Sequence, residues 1–185
     1  ADPSLYTRRD KNGRVIVSCI VDDFVITGDL NAVKIFKQQI DKEWEMTDEG
    51  ILFWCLNLRI THDIKRGLMK IDQEQYVEEV LRRFNMDQCN PRRTPMDVKP
   101  VLFSDMVPVP EKSEDYKETF PYASAMGCLL YLRLTRPDCM VTISILARFM
   151  KNPSKSHWEA VKTVMRYIKG TKRHGLLYRR KTKDA

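Results

Sequence analysis

Two adjacent aspartates interrupt an otherwise apolar stretch near the start of the chain. Residues 14–21 are rich in β-branched side chains, residues 24–27 form a second such run, and Asp22 and Asp23 lie between them. β-Branched residues favour extended backbone, and a short polar break between two such runs is typical of a hairpin turn. The pattern therefore predicts two antiparallel strands joined by a tight turn that carries both carboxylates.

The next part of the chain alternates between helical and strand-like patterns. A helix is predicted to begin at Asp29 or Asn31, because apolar residues then recur every three to four positions as far as Trp44. Extended, apolar stretches follow, and a second amphipathic helix comes after them. The predicted strands lie at 51–60 and 68–71, and the second helix lies at 73–86.

Proline content divides the chain. Six of the nine prolines lie within residues 91–121, where no apolar periodicity is present, so this stretch is predicted to connect two parts. Three helices are predicted beyond it, at 122–134, 137–150 and 156–169, with Ser156 and Glu159 at capping-box spacing in the last, and residues 175–179 are a candidate strand. The predicted divisions are a cloning leader at 1–11, an α/β portion at 12–90, a connector at 91–121 and a helical portion at 122–185 with a basic C-terminus. The predicted fold class is α+β.

The net charge of +7 is concentrated near the C-terminus. Residues 148–183 contain twelve Lys or Arg and one Glu, a charge of +11, whereas the rest of the chain has 20 basic and 24 acidic residues, a charge of −4. Such a cluster predicts contacts with a nucleic-acid backbone, although a solvated helix face is the alternative. The predicted nucleic-acid-binding residues are Arg148, Lys155, Lys162, Arg166, Lys169, Lys172 and Arg173.

Other features narrow the class of protein. No apolar run approaches the roughly 20 residues that cross a bilayer, so no membrane partner is expected. The five cysteines are scattered without metal-site spacing, which favours reduced thiols and an intracellular origin. Secretion is the alternative, and in a secreted chain Cys128 and Cys139 would be a candidate disulfide pair.

Several blocks of sequence resemble copia-type (Pseudoviridae) LTR retrotransposon reverse transcriptases. Ile20-Val-Asp-Asp-Phe-Val-Ile26 is similar to the Tyr-Val-Asp-Asp palm hairpin of these enzymes, and residues 51–60 are similar to their primer grip. Gly127-Cys-Leu-Leu-Tyr-Leu132, Thr135-Arg-Pro-Asp138 and Arg166-Tyr-Ile-Lys-Gly-Thr171 resemble the family's C-terminal block. The resemblance covers residues 14–178.

This resemblance implies part of a palm, made of antiparallel hairpins and helices, followed by a helical thumb-like bundle. It implies RNA-directed DNA synthesis in which Asp22 and Asp23 are catalytic ligands of Mg²⁺, and in which Trp54, Leu56 and Asn57 occupy the primer-grip position. The implied partners are the RNA/DNA primer–template backbone and the missing fingers, palm and RNase H portions of a polyprotein. The implied location is a cytoplasmic retrotransposon particle.

Three departures from the family pattern leave the present activity open. The remaining catalytic aspartate of the family lies upstream of this sequence, Ile20 replaces the aromatic residue before Val-Asp-Asp, and Asn57 replaces the primer-grip glycine. We therefore expect the chain to be inactive alone. The alternative is a repurposed, non-enzymatic interaction protein, either intracellular or secreted, with an unidentified protein partner.

Overall fold

The computed structural model describes residues 2–96 and 120–180 and divides the chain into two compact units, Ala1–Leu52 and Phe53–Ala185. Most of the predicted connector, residues 97–119, lies outside the described residues, as do Lys181 and Lys183 of the basic end. Antiparallel sheets and helices occur together, which confirms the predicted α+β class.

The first unit is a three-stranded antiparallel sheet with a helix on one face. Strands β1 (Leu5–Asp10), β2 (Gly13–Ile20) and β3 (Asp23–Gly28) lie in that order, and helix α1 spans Leu30–Glu43. Val15 and Val17 are buried with Ala32 of α1. Because side chains alternate between the faces of a strand, Asp23 and its pairing partner Ile20 lie on the face away from α1.

The leader predicted over residues 1–11 overlaps a strand, because residues 5–10 form β1. This strand pairs with β2 along its whole length, from Leu5 opposite Ser18 to Asp10 opposite Gly13. The carboxylate of Asp10 accepts a hydrogen bond of 2.8 Å from the backbone N–H of Asn12, and Gly13 has a φ angle of 120°. Asn-Gly is a strong hairpin signal, which the polar composition of this segment obscured.

The second unit contains a four-stranded antiparallel sheet that includes the predicted C-terminal strand. Its strands β4 (Trp54–Cys55), β5 (Leu58–Asp63), β6 (Leu68–Asp72) and β7 (Gly175–Arg179) lie in that order. Gly175 pairs with Asp72, and a Cβ atom at position 175 would lie 2.3 Å from the carbonyl oxygen of Ile71. Glycine is therefore required where β7 approaches β6.

Four helices and a short 3₁₀ turn build the main hydrophobic core of the second unit. They are α2 (Glu74–Arg83), α3 (Tyr122–Leu132), the turn Pro137–Cys139, α4 (Met140–Ala147) and α5 (Lys155–Gly170). Val77, Val80 and Leu81 of α2 are buried in the same core as α3, α4 and α5. The prediction grouped α2 with the α/β portion of residues 12–90, but the compact unit joins it to the helical portion, because these helices cover its apolar stripe.

The helices in residues 2–96 and 120–180 lack the combination of length and apolar character that crossing a bilayer requires.

The start of α5 differs from the predicted capping box at Ser156 and Glu159. Ser154 is the N-cap, and its backbone N–H donates to Nδ1 of His157 at 2.8 Å. The His157 ring is fully buried and stacks on Phe149 with ring centroids 4.1 Å apart. Packing of the imidazole therefore places the helix start two residues earlier than local spacing predicted.

A buried arginine joins the 3₁₀ turn to the C-terminal end of α5. Arg136 is almost fully buried, and its guanidinium makes two hydrogen bonds to the carboxylate of Asp138, at 2.7 and 3.0 Å. It also donates to the carbonyl and hydroxyl oxygens of Thr171, while the Tyr167 hydroxyl donates to Asp138 at 2.7 Å. Burial opposes ionisation of Asp138, but the bonds from Arg136 and Tyr167 outweigh it and lower the pKa of Asp138 to about 2.

Candidate catalytic turn and nucleic-acid surface

The two aspartates lie at the tip of the β2–β3 hairpin. Ile20 pairs with Asp23, so the turn consists of Val21 and Asp22, one residue earlier than the predicted turn. Asp22 is the second turn residue and Asp23 is the first residue of β3. Both side chains are exposed to solvent.

Val21 has a strained backbone conformation beside these carboxylates. Its φ angle is 55° and the residue is 89% exposed, so its side chain gains little from packing. A β-branched residue in the left-handed region is a true outlier, and glycine is the usual residue at this position of a tight hairpin turn. Strain of this kind concentrates at functional sites, so the backbone of this turn indicates a functional role independently of its two charges.

The chemistry of the turn fits a divalent cation in part. Within the described residues, Asp22 and Asp23 have no hydrogen-bond or ion-pair partner, so both carboxylates are available to a ligand. Mg²⁺ is commonly held by one or two carboxylates together with substrate phosphates. No group of three or more metal-ligating side chains occurs among residues 2–96 and 120–180, so these two carboxylates would need further ligands.

The residues at the predicted primer-grip position form a second tight turn. Cys55 pairs with Leu58, and Leu56 and Asn57 between them have φ angles of 48° and 55°. Two left-handed residues in succession define a type I′ turn, which favours Asn or Gly. Asn57 therefore suits the left-handed backbone of this turn, as glycine would. Leu56 is 58% exposed at this tip, and Trp54 is also exposed.

Two of the predicted nucleic-acid-binding residues are engaged with acidic residues of α2. Lys172 forms an ion pair with Glu78, and Arg173 donates to Glu74 at 3.0 Å. Glu74 also accepts from Arg59 at 2.7 Å, and this bond, with the bond from Arg173, holds the pKa of Glu74 below its usual range despite partial burial. The positive charge at Lys172 and Arg173 is therefore largely compensated.

The predicted row on α5 lies beside a segment that the sequence prediction missed. Lys169 donates to the carbonyl oxygen of Cys89 at 2.6 Å, and the backbone N–H of Arg92 donates to the carbonyl oxygen of Arg166 at 3.2 Å. These contacts bring Arg92 and Arg93, both exposed, next to the C-terminal half of α5. The consecutive arginines after Pro91 were the available signal. We call Arg92, Arg93, Lys162, Arg166 and Lys169 the α5 cationic surface.

Arg148 and Lys155 do not belong to this surface. Arg148 follows α4 and lines a shallow groove with Met140, Val141 and Ile145. Lys155 is the first residue of α5, whereas Lys169 is in its last turn, and a helix rises about 1.5 Å per residue. The structure thus separates the predicted basic residues instead of joining them in one patch.

Comparison with known families agrees with this geometry. The family model for reverse transcriptase (RNA-dependent DNA polymerase) matches residues 1–98, which include β1, the Asp22–Asp23 turn and the β4–β5 hairpin. The chain belongs to the reverse transcriptase family. Because the match begins at residue 1, it also includes the segment that the sequence prediction had set apart as a leader.

Individual relatives of this reverse transcriptase chain include transposon polyproteins and shorter proteins. It is 35% identical over 174 residues to the retrovirus-related Pol polyprotein from transposon TNT 1-94 of Nicotiana tabacum, covering 92% of the chain and 13% of that polyprotein. It is 32% identical over 165 residues to an uncharacterized mitochondrial protein of Arabidopsis thaliana, covering 88% of the chain and 65% of that protein. A stretch of 61 residues, 32% of the chain, is 41% identical to secreted RxLR effector protein 161 of Plasmopara viticola and covers 43% of it. No solved structure matches this reverse transcriptase chain.

The transposon relatives confirm the predicted copia-type ancestry. This reverse transcriptase chain spans only 12% to 13% of the length of the transposon polyproteins that it matches. Reverse transcriptases use divalent metal ions, which agrees with the carboxylate pair at the β2–β3 turn.

Proposed function

We propose that the chain contributes the metal-binding aspartates and part of the primer–template contacts to a copia-type RNA-directed DNA polymerase. The observation that carries this proposal is the exposed Asp22–Asp23 pair on the strained β2–β3 turn, without a partner in the described residues. Its surroundings support the same conclusion, because Asp23 lies on the sheet face that α1 leaves uncovered. In such an element the chain would act inside an intracellular particle.

Asp22 and Asp23 are the residues that would hold Mg²⁺ in the complete polymerase. Bound there with further ligands, the cation would supply activation of the primer 3′-hydroxyl and stabilisation of the departing pyrophosphate. The two residues differ in setting, since Asp22 belongs to the turn and Asp23 belongs to a paired strand. The strand pairing gives Asp23 a fixed direction, whereas Asp22 follows the strained backbone of Val21.

The β4–β5 hairpin is proposed to contact the primer. Leu56 and Trp54 present exposed apolar surface at its tip, and Asn57 keeps the left-handed turn that brings them there. Apolar and aromatic side chains can pack against nucleotide sugars and bases without reading sequence.

The backbone of the primer–template is proposed to contact the α5 cationic surface rather than Lys172 and Arg173. Arg93 and Arg166 of this surface have no acidic partner in the described residues, although its Lys162 is ion-paired with Glu159. Glu74 and Glu78 compensate both Lys172 and Arg173. Each cation that contacts a phosphate releases counterions and steepens the salt dependence of binding.

Two double variants of equal charge test this assignment. Arg93→Gln/Arg166→Gln removes two charges from the α5 cationic surface, and Lys172→Gln/Arg173→Gln removes two charges from the compensated cluster. We expect the first variant to lower the log–log salt slope for an RNA–DNA hybrid by up to about 1.8, or about 0.9 per contact. The second variant should change the slope much less. Fluorescence anisotropy across a salt series measures both slopes.

Equal salt slopes in both variants and the wild type would mean that the α5 cationic surface is a solvated helix face that does not contact the hybrid. A larger decrease of the salt slope in the Lys172/Arg173 variant would mean that Lys172 and Arg173 do contact the hybrid. Failure of the wild type to bind even at low salt would favour a non-enzymatic interaction protein.

A further inference from the structure

The turn between β4 and β5 adopts a conformation that its own sequence only half favours. Leu56 and Asn57 have φ angles of 48° and 55°. Asparagine tolerates the left-handed region, but leucine has no polar group that stabilises it. Strand β4 also contributes only Trp54 and Cys55 to the pairing that flanks the turn. We therefore expect a contact from outside the hairpin to help hold it.

Tyr131 makes such a contact. It lies in the last turn of α3, and its hydroxyl donates a hydrogen bond to the carbonyl oxygen of Leu56. That carbonyl belongs to the peptide group between Leu56 and Asn57. The bond therefore restrains both residues of the turn at the point where the backbone is strained.

The ring of Tyr131 is held in turn by Tyr76 of α2. The two rings meet edge to face, with centroids 5.1 Å apart and an interplanar angle of 77°. The Tyr76 hydroxyl donates to the carbonyl oxygen of Cys128 in α3 at 3.4 Å, and burial raises the pKa of Tyr76, so it stays a neutral donor. The position of Tyr131 is thus set by the packing of α2 against α3.

We propose that Tyr131 is a positioning residue that fixes where the β4–β5 hairpin presents Leu56 and Trp54 to the primer. This inference rests on the proposed primer contact. The Tyr131 hydroxyl connects the helical core to the Leu56–Asn57 peptide. Tyr131, which is distant from the hairpin along the chain, thereby determines the position of the hairpin tip.

Tyr131→Phe tests the restraint, because it removes the hydroxyl and keeps the ring. We expect amide hydrogen exchange in residues 53–60 to become about five-fold faster, the factor expected for one lost hydrogen bond. Tyr76→Phe is the matched control, since it loses a hydroxyl but leaves the bond from Tyr131 to Leu56. It should not change exchange in the hairpin. Unchanged exchange in Tyr131→Phe would overturn the proposal.

Photo-crosslinking tests the consequence for the primer. The probe is an RNA–DNA hybrid whose DNA strand ends in 3′-terminal 4-thiothymidine, and crosslinked residues are mapped by mass spectrometry. The wild type should crosslink within residues 53–57, and Tyr131→Phe should lose most of that product. The dissociation constant of the hybrid should stay the same in Tyr131→Phe, because the α5 cationic surface is intact.

The possible failures are distinguishable. Equal loss of crosslinking in Tyr131→Phe and Tyr76→Phe would indicate general loosening of the helices and would overturn a positioning role. A wild-type chain that binds the hybrid without crosslinking in the hairpin would refute the primer contact itself, and with it the functional part of this inference. Hydrogen exchange would still decide whether Tyr131 holds the turn.

Discussion

The two hairpin tips that are proposed to act on the primer contain non-glycine residues with positive φ angles, which are rare elsewhere in the described part of the chain. Four non-glycine residues in the described part of the chain have positive φ angles, and three of them are Val21, Leu56 and Asn57. The fourth, Asn85, follows α2, where a left-handed residue commonly ends a helix. Strain is therefore concentrated at the candidate catalytic and primer-contacting turns, as expected where function rather than stability selects the residue.

Replacing Val21 with glycine should stabilise the first unit. Relief of left-handed strain is worth about 1 kcal/mol, and the exposed valine side chain loses little packing when it is removed. Pulsed labelling of the half-buried Cys19 thiol across a urea series measures the opening of the sheet. The control Val25→Gly changes the same residue type in the extended part of β3 and should destabilise it. Destabilisation by Val21→Gly would mean that the valine side chain has a structural role.

The buried histidine at the start of α5 should make stability depend on pH. Nδ1 of His157 accepts the Ser154 N–H, so the imidazole must be neutral there, and burial lowers the pKa of His157. The unfolded chain therefore takes up the proton first, and stability falls as pH decreases below about 6.5, by at most about 1.4 kcal/mol per pH unit for one proton.

His157→Gln isolates this contribution, because a Gln side chain can also accept the Ser154 N–H but does not titrate. Urea unfolding between pH 7 and pH 5 should show a shallower dependence in the variant than in the wild type. The exposed His62 and His174 are present in both proteins and cancel in the comparison. If the unfolding free energy of the two proteins changes equally with pH, His157 is not the source of the pH dependence.

The Arg136–Asp138 pair should be costly to break. Asp138→Asn leaves the buried guanidinium without its carboxylate, and because the Asp138 side chain is 35% exposed we expect a cost of about 2 kcal/mol, the size of a hydrogen bond to a charged group. Because the pKa of Asp138 is lowered to about 2, its contribution is present above about pH 4 and is lost as pH falls towards 2. The difference between the urea midpoints of the wild type and Asp138→Asn should therefore decrease as the pH falls from about 4 towards 2. A gap that is constant with pH would indicate a role in packing alone.

At the scale of the whole molecule, the positive charge is less available than its total suggests. The bonds from Lys172 to Glu78 and from Arg173 to Glu74 join residues 94 and 99 positions apart. Asp72 of β6 is buried in the same network, where Arg59 and Lys70 outweigh the effect of burial and hold its pKa below its usual value. Lys172 and Arg173 thus join the segment that precedes β7 to α2.

The chain alone should not extend a primer. The described residues provide two adjacent carboxylates and no third metal-ligating group beside them, whereas the reaction requires two positioned cations and an oriented nucleotide. A primer-extension assay with Mg²⁺ or Mn²⁺ on an RNA template should give no product above background. Metal-dependent product that disappears in Asp22→Asn would contradict this expectation.

The elements that local pattern could predict were those with their own periodicity. The β-branched runs around Asp22 and Asp23 predicted the β2–β3 hairpin, and the apolar spacing predicted α1 and α2 to within a few residues. The fold class followed from these segments together with the helices predicted after residue 121, and the family followed from motifs in both parts of the chain. The metal, primer-grip and nucleic-acid roles of individual residues stay predictions, since they depend on ligands and on other parts of a polymerase.

The sequence alone determined the β2–β3 hairpin, because β-branched runs and the adjacent carboxylates between them act through the local backbone. Tertiary structure decided which residues share an environment. It incorporated β1 into the sheet, placed α2 in the helical core, chose His157 over Glu159 at the start of α5, and paired Lys172 with Glu78. The physical reason is that burial and ion pairing join residues that are distant along the chain, so local spacing carries no signal for them.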